Sequence, residues 1–375
     1  MKYFVFILLN LGILNAQVKL VVTTPENTPE DARIFMASSL NGWNPQDPAF
    51  ELKKSKNGTY ELEIPEQAGK AEYKFTSGSW ETAEGNTEGK GIENRTFTFT
   101  GIPQTLENTI LSWAEPEQKK HTASKNVKIL SENFPVPQLG TTRKIWIYLP
   151  EDYDASKKKY PVIYMHDGQN LFDQLTSFSG EWQVDETMDE FFLEGKRQAI
   201  IVGIDNGGSE RLNEYSPWKN TKYGGGKGDL YADFLAQTLK PYIDKNYRTA
   251  SSAKNTGLIG SSMGGLISFY TGLKYPEKFG KLGVFSPSFW FAKEDLILYL
   301  NEYSKSLKKT KIYLLAGRKE SDEMVTDIEK AVPLLMGKGI CRKNIKTKFD
   351  DYGTHSENYW AKEFPEAYIW LFSRK

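Results

Sequence analysis

The segment Gly260-Ser261-Ser262-Met263-Gly264 holds a serine between two glycines at Gly-x-Ser-x-Gly spacing. It follows the apolar run Gly257-Leu258-Ile259 and precedes the helical stretch Leu266-Ile267-Ser268-Phe269-Tyr270. Ser262 therefore stands where a strand turns into a helix. Small residues on both sides let the two elements approach closely while the hydroxyl projects from a strained turn. A serine hydroxyl is a poor nucleophile until a base takes its proton; with one, it attacks a carbonyl carbon and carries the acyl group. The spacing excludes the neighbouring Ser261.

The turn resembles the nucleophile elbow of the α/β-hydrolases, which implies that an acid and then a histidine follow the serine along the chain. The chain has three histidines. His121 lies in a polar connecting stretch, and His166 reads as a packing residue at a strand end. His355 stands in the loop Asp350-Asp351-Tyr352-Gly353-Thr354-His355-Ser356, between a strand-like run and the terminal helix, where a general base is expected. The orienting acid is expected after the strand Lys311-Ile312-Tyr313-Leu314-Leu315-Ala316. Glu320 is the first candidate in that loop and Asp322 the alternative, since either carboxylate could start or cap the next helix. Two backbone donors complete the chemistry: the N–H of Met263 and the N–H of Gln169, in the loop His166-Asp167-Gly168-Gln169-Asn170. Each such oxyanion donor is typically worth about 3–4 kcal/mol of barrier.

These residues need a scaffold. From Lys144 onward, apolar strands (Lys144–Leu149, Pro161–Met165, Ala199–Ile204, Gly257–Ile259, Lys311–Ala316) alternate with helical segments. Leu230, Phe234, Leu235, Leu239, Tyr242 and Ile243 recur at the spacing of one helix. That alternation predicts a parallel sheet covered on both faces. From Val18 to about Phe99 the pattern is short alternating strands punctuated by Asn, Gly and Pro, which predicts a small antiparallel sandwich. The polar run Glu115-Pro116-Glu117-Gln118-Lys119-Lys120 separates the regimes. The expected organisation is a leader at 1–16, an all-β module at 17–111, a linker at 112–126 and an α/β domain at 127–375.

Two resemblances follow from quoted blocks. Leu40-Asn41-Gly42-Trp43-Asn44-Pro45, Asn57-Gly58-Thr59-Tyr60, Gly78-Ser79-Trp80-Glu81 and Glu93-Asn94-Arg95 resemble the starch- and glycogen-binding modules of carbohydrate-binding families 20 and 48, an immunoglobulin-like sandwich. The likeness implies that Trp43 and Trp80 stack on sugar rings; a packing role for the same tryptophans is the other reading. Residues from about 125 onward resemble the esterase D-type α/β-hydrolases, a group that includes feruloyl and acetyl-xylan esterases (carbohydrate esterase family 1) and enterobactin-type siderophore esterases. The matching blocks include Tyr160–Asp173, Trp182-Gln183-Val184-Asp185-Glu186, Tyr242–Thr249, Phe285–Trp290 and His355–Trp360. Many such relatives carry Asp where this chain has Glu320.

The second likeness implies serine ester hydrolysis through an acyl-enzyme, with neither metal nor cofactor. Asn170, Trp182, Asn206 and Trp290, with Arg211, Tyr215 and Trp218, form an aromatic and amide set suited to an aromatic acyl group or sugar rings. The expected substrate is a polysaccharide-linked feruloyl or acetyl ester. A siderophore trilactone is the alternative. A carbohydrate-binding protein with an inert hydrolase domain is the reading from another class, against which a complete Ser262, Glu320 and His355 set speaks.

Composition narrows the partners. Forty-eight Lys and Arg balance forty-eight Asp and Glu, so the field that gathers nucleic acid is missing. Met1-Lys2, the apolar stretch Tyr3–Leu14 and Leu14-Asn15-Ala16 read as a secretory signal, predicting a secreted or periplasmic protein. That stretch is short of the roughly 20 residues a membrane-spanning helix requires. The lone Cys341 excludes an internal disulfide and is expected to pack. Tyr223-Gly224-Gly225-Gly226-Lys227-Gly228 lacks the spacing of a phosphate-binding loop and is expected to be a loop near the cleft.

Overall fold

The computed structural model describes residues 17–114 and 119–372. The expected leader at 1–16 and residues 115–118 of the expected linker lie outside the described residues. The chain divides between Gln118 and Lys119 into two compact units.

In the first unit, strand Gln17–Thr23 buries Val18, Leu20 and Val22 on one face. It pairs antiparallel with Tyr60–Pro65 and parallel with Gln104–Thr109. A second set runs from Ile34–Ser38 through Lys70–Thr76 to Arg95–Thr98, all antiparallel. The short strand Glu51–Lys54 belongs to both: Glu51 and Leu52 pair with Phe35 and Ile34, while Lys53 and Lys54 pair with Glu61 and Tyr60. This shared strand lets the sheet fold onto itself, and Leu20, Ile34, Met36, Leu62, Phe75 and Phe97 from the two halves meet in one core. The period-2 pattern read in the sequence is thus a sandwich with one apolar face per strand.

The second unit is built on eight strands. In spatial order they are Val127–Val136, Thr141–Tyr148, Ile200–Ile204, Val162–His166, Thr256–Ser261, Lys281–Phe285, Lys311–Gly317 and Ile345–Asp350. The first three are antiparallel neighbours and the others run parallel. Alternate residues feed two cores. Val162 and Tyr164 join one with Leu258, Ile312 and Leu314. Ile163 and Met165 join the other with Ile259, Tyr313 and Leu315. Helices Met263–Lys274, Lys293–Glu302 and Asp322–Gly337 cover the first face, and Val184–Leu193 with Glu357–Phe372 cover the second. This is the expected α/β-hydrolase architecture, with the strands buried on both sides.

Two local expectations are corrected, and one strand carries no sequence signal. The edge strand Val127–Val136 was not legible, because it is mostly half-exposed or exposed and bulged against its neighbour. The single helix expected around 230–243 is α-helix over Gly228–Asp233, π-helix over Phe234–Leu239 and α-helix again over Lys240–Asn246. The wider turn shifts the phase, so Phe234, Leu235, Leu239 and Ile243 are buried while Leu230 and Tyr242 are exposed. Cys341 is exposed, not packed; it immediately precedes the short turn Arg342–Asn344.

The expected linker is partly structured. Ser112–Trp113 pairs with Glu84–Gly85 in the first unit. Thr122 and Ser124 bond Glu181 and Asp185 in the second. Among the described residues no helix is long and apolar enough to cross a membrane.

Candidate active site

Ser262 joins strand Thr256–Ser261 to helix Met263–Lys274 with φ 57° and ψ −125°. A non-glycine residue in such a region is strained by about 1–3 kcal/mol and persists only where its surroundings fix it. Here the Ser262 N–H donates to Phe285 O at 2.9 Å, and Ser262 O accepts from Ser288 N at 3.0 Å and Leu266 N at 3.1 Å. The flanking glycines are required by space. A Cβ on Gly260 would stand 2.6 Å from the Gly264 carbonyl oxygen and 2.9 Å from His166 Cδ2.

The expected base and acid meet. His355 Nδ1 lies 2.8 Å from Glu320 Oε2, and the Glu320 side chain is 1% exposed. Glu320 Oε1 accepts from Ser286 Oγ at 2.7 Å and from the Gly317 N–H at 2.6 Å. Ser286 Oγ accepts in turn from Trp360 Nε1 at 2.9 Å, and the Trp360 ring meets the His355 ring edge to face at 5.0 Å. Asp322 begins the helix Asp322–Gly337; its side chain lies outside what is described. Ser262 Oγ is 3.3 Å from Ser288 Oγ, and among the described residues no hydrogen bond joins it to His355. The two residues line one cavity of about 710 Å³. Catalytic hydrogen bonds often close only once substrate is bound.

The proposed oxyanion donors sit on two elements. Met263 occupies the first turn of its helix, where N–H groups have no intrahelical acceptor. Gln169 lies in the short turn Gly168–Asn170, which starts from Asp167 in the left-handed conformation, φ 56°. The Asp167 carboxylate is gripped by Arg211 at 2.7 and 2.8 Å and by Asn206 Nδ2 at 2.8 Å. Burial pushes that carboxyl up, but Arg211 beside it outweighs the effect and holds it below the usual range. Asn206 N also donates to Gln169 Oε1 at 3.3 Å. Beneath the turn, His166 is buried with Nδ1 3.1 Å from the Tyr231 hydroxyl, and desolvation pushes its ring down to about 4.

Of the expected substrate contacts, Asn170, Trp182 and Asn206 line the cavity with Phe178, Ser179, Arg211, Glu357 and Trp360. Trp182 is 3% exposed and packs against Phe285 and Trp360, so it is a wall rooted in the core. Trp290 is not among the lining residues; it is 41% exposed and meets Tyr223 edge to face. Tyr215 packs under the cavity against His166, and Trp218 against Tyr270. Sequence reasoning passed over Ser286, Phe178, Ser179 and Glu357. Ser286 stands at a strand end with φ 41°, but no motif distinguishes its serine from others. In the sandwich, the Trp43 and Trp80 rings lie 6.3 Å apart at 39°, with Trp80 39% exposed.

Glu181, Asp185 and Glu186 bring carboxylate oxygens within 4.8 Å of one another, the only such set among the described residues. They do not line the cavity. Burial pushes Glu181 up to about 7 and raises Asp185 and Glu186 as well.

Residues 137–371 match the Esterase family, described as "Putative esterase". The endo-1,4-beta-xylanase/feruloyl esterase of Xylanibacter ruminicola is 29% identical over 198 residues, covering 52% of this chain and 24% of that protein. An alpha-amylase of Niallia circulans is 39% identical over 95 residues, 25% of this chain and 7% of its own. Among solved structures, the enterochelin esterase of Shigella flexneri superposes with a TM-score of 0.55 at 16% identity, covering 91% of this chain and 88% of that one. At that identity the likeness is one of fold.

Proposed function

Because the chain belongs to the Esterase family through residues 137–371, and is thereby a carboxylic ester hydrolase, we propose that Ser262, His355 and Glu320 are its catalytic triad. His355 takes the Ser262 proton as Oγ attacks the ester carbonyl. The Met263 and Gln169 N–H groups hold the oxyanion, His355 returns the proton to the departing alcohol, and water repeats the sequence on the acyl-enzyme. The observation that carries the reading is the 2.8 Å contact of buried Glu320 with His355, which lines the same cavity as Ser262.

The favoured substrate is a polysaccharide bearing feruloyl or acetyl esters. The xylanase/feruloyl esterase match supports it, and the amylase match is consistent with a polysaccharide-binding first unit using Trp43 and Trp80. Secretion through residues 1–16 belongs to the same reading.

Hydrolysis of a short p-nitrophenyl ester tests the mechanism: Ser262→Ala abolishes it, and a wild-type rate in that variant overturns the triad. Retardation in xylan or amylose gels tests the sandwich, and unretarded migration in both removes sugar binding. A second reading, siderophore-ester hydrolysis, is favoured by a match to the iron(III) salmochelin esterase of Escherichia coli O6:H1, 31% identical over 158 residues, 41% of this chain and 34% of that protein. Faster opening of a catecholate trilactone than of methyl ferulate selects it. Failure to react with a fluorophosphonate probe would instead favour a sugar-binding protein with an inert hydrolase domain.

A further inference from the structure

Glu357 is a buried acid in the cavity wall that the proposed mechanism does not use. It opens the helix Glu357–Phe372 two residues beyond His355 and is 8% exposed. Its Oε1 accepts from Ser179 Oγ at 2.6 Å and from Asn170 Nδ2 at 3.2 Å. Among the described residues no side chain of another residue donates to Oε2, and Glu357 is one of the residues that line the cavity. A buried carboxylate with one oxygen satisfied and the other open is an acceptor that lacks a donor.

The two basic side chains lining the cavity are already engaged, Arg211 with Asp167 and His355 with Glu320. The missing donor therefore comes from what enters. The remaining walls say what that is. Trp182 and Trp360 present aromatic surface, and Phe178, 80% exposed, is held at the cavity by its N–H to Asn170 Oδ1 at 2.8 Å. Asn170 thus ties the Phe178 segment and Glu357 together. Aromatic walls with a single open acceptor fit a flat ring bearing a hydroxyl.

We propose that Glu357 is a specificity residue that accepts a hydrogen bond from a phenolic hydroxyl on the substrate, so that this site takes esters of hydroxylated aromatic acids in preference to acyl groups without that donor. The inference rests on the ester-hydrolase reading above. Methyl ferulate and a trilactone whose serine acyl groups carry catechol amides both present a phenolic hydroxyl on the acyl side, and comparing them separates the two sources.

The test is the ratio of kcat/KM for methyl ferulate to that for methyl 3,4-dimethoxycinnamate, which differ only by capping the phenol. A hydrogen bond to a charged acceptor corresponds to a preference of about 10- to 100-fold. The full-length protein is expected to show that preference for ferulate. Glu357→Ala brings the ratio close to one, and Glu357→Gln, which keeps size and one acceptor, gives an intermediate ratio. A wild-type ratio near one, or a ratio unmoved in both variants, overturns the inference. If that happens while p-nitrophenyl acetate is still hydrolysed in a Ser262-dependent way, only the role of Glu357 falls. If no ester is hydrolysed, the ester-hydrolase reading falls with it.

Discussion

Ser286 Oγ donates to Oε1 of Glu320 at 2.7 Å, across 34 residues of sequence. Ser286 also accepts from Trp360 Nε1, so the acid is fixed from the strand before it, from its own loop through Gly317 N, and from the terminal helix. The other oxygen of the same carboxylate is left for His355. A carboxylate held this way sets both the tautomer and the plane of the imidazole.

Glu320→Ala is expected to lower kcat for a p-nitrophenyl ester by about 10⁴-fold, the size of effect seen when a triad acid is removed. Asp322→Ala is expected to stay within about threefold of wild type, since the proposed triad gives its carboxylate no part in the reaction. Initial rates on the two purified variants decide between them, and a larger loss from Asp322→Ala reverses the assignment.

Ser286→Ala removes one donor from Glu320 and leaves Trp360 Nε1 without its acceptor. Ser286 does not line the cavity, so its effect is one of positioning. A fall in kcat of about 10-fold at nearly constant KM is expected, the signature of an interaction felt only in the transition state. A rise in KM with kcat intact would mean that Ser286 shapes the binding site instead.

Arg211 neutralises a carboxylate that is otherwise buried beneath the Gln169 turn. Removing one partner of a buried pair typically destabilises by about 3–5 kcal/mol, and Arg211 is about a quarter exposed, so about 2–3 kcal/mol is expected for Arg211→Gln. Adding Asp167→Asn removes the orphaned charge and is expected to restore most of that loss. Urea unfolding of the single and double variants measures the coupling; strict additivity would show that the clamp does not act as a unit.

Two buried groups are expected to pull stability in opposite directions across the same acidic window, Glu181 and His166. The Glu181 carboxyl, raised from 4.5 to about 7 when folded, binds its proton more tightly in the native state, so stability drops as pH rises through that window. Glu181→Gln is therefore expected to stabilise at pH 8 by about 1–2 kcal/mol, the partly solvated carboxylate being screened, and to have little effect at pH 4.5. His166, depressed from 6.5 to about 4, has the opposite sign: the unfolded chain takes the proton first, and stability drops as pH falls from 6.5 toward 4. Melting temperatures of wild type and Glu181→Gln from pH 4 to 9 check the Glu181 contribution, and a gain independent of pH would remove the titration account.

The sequence alone determined the two compositional regimes, the strand-turn-helix around Ser262 and the acid and base candidates, because these rest on local patterns. Period-2 runs such as Tyr60–Pro65 and the glycine spacing about Ser262 carry their own structural meaning. What it left open was settled by long-range geometry. Glu320 and Asp322 are equally acidic in sequence, and only the packed sheet brings Glu320 within 2.8 Å of His355. Trp182 and Trp290 are alike as letters, yet one is a buried cavity wall and the other an exposed ring that is not among the lining residues. Ser286 and Glu357 had no motif to announce them, since a hydrogen-bond partner 34 residues away, or 187 away for Glu357 and Asn170, exists only once parallel strands bring their carboxyl ends to one edge.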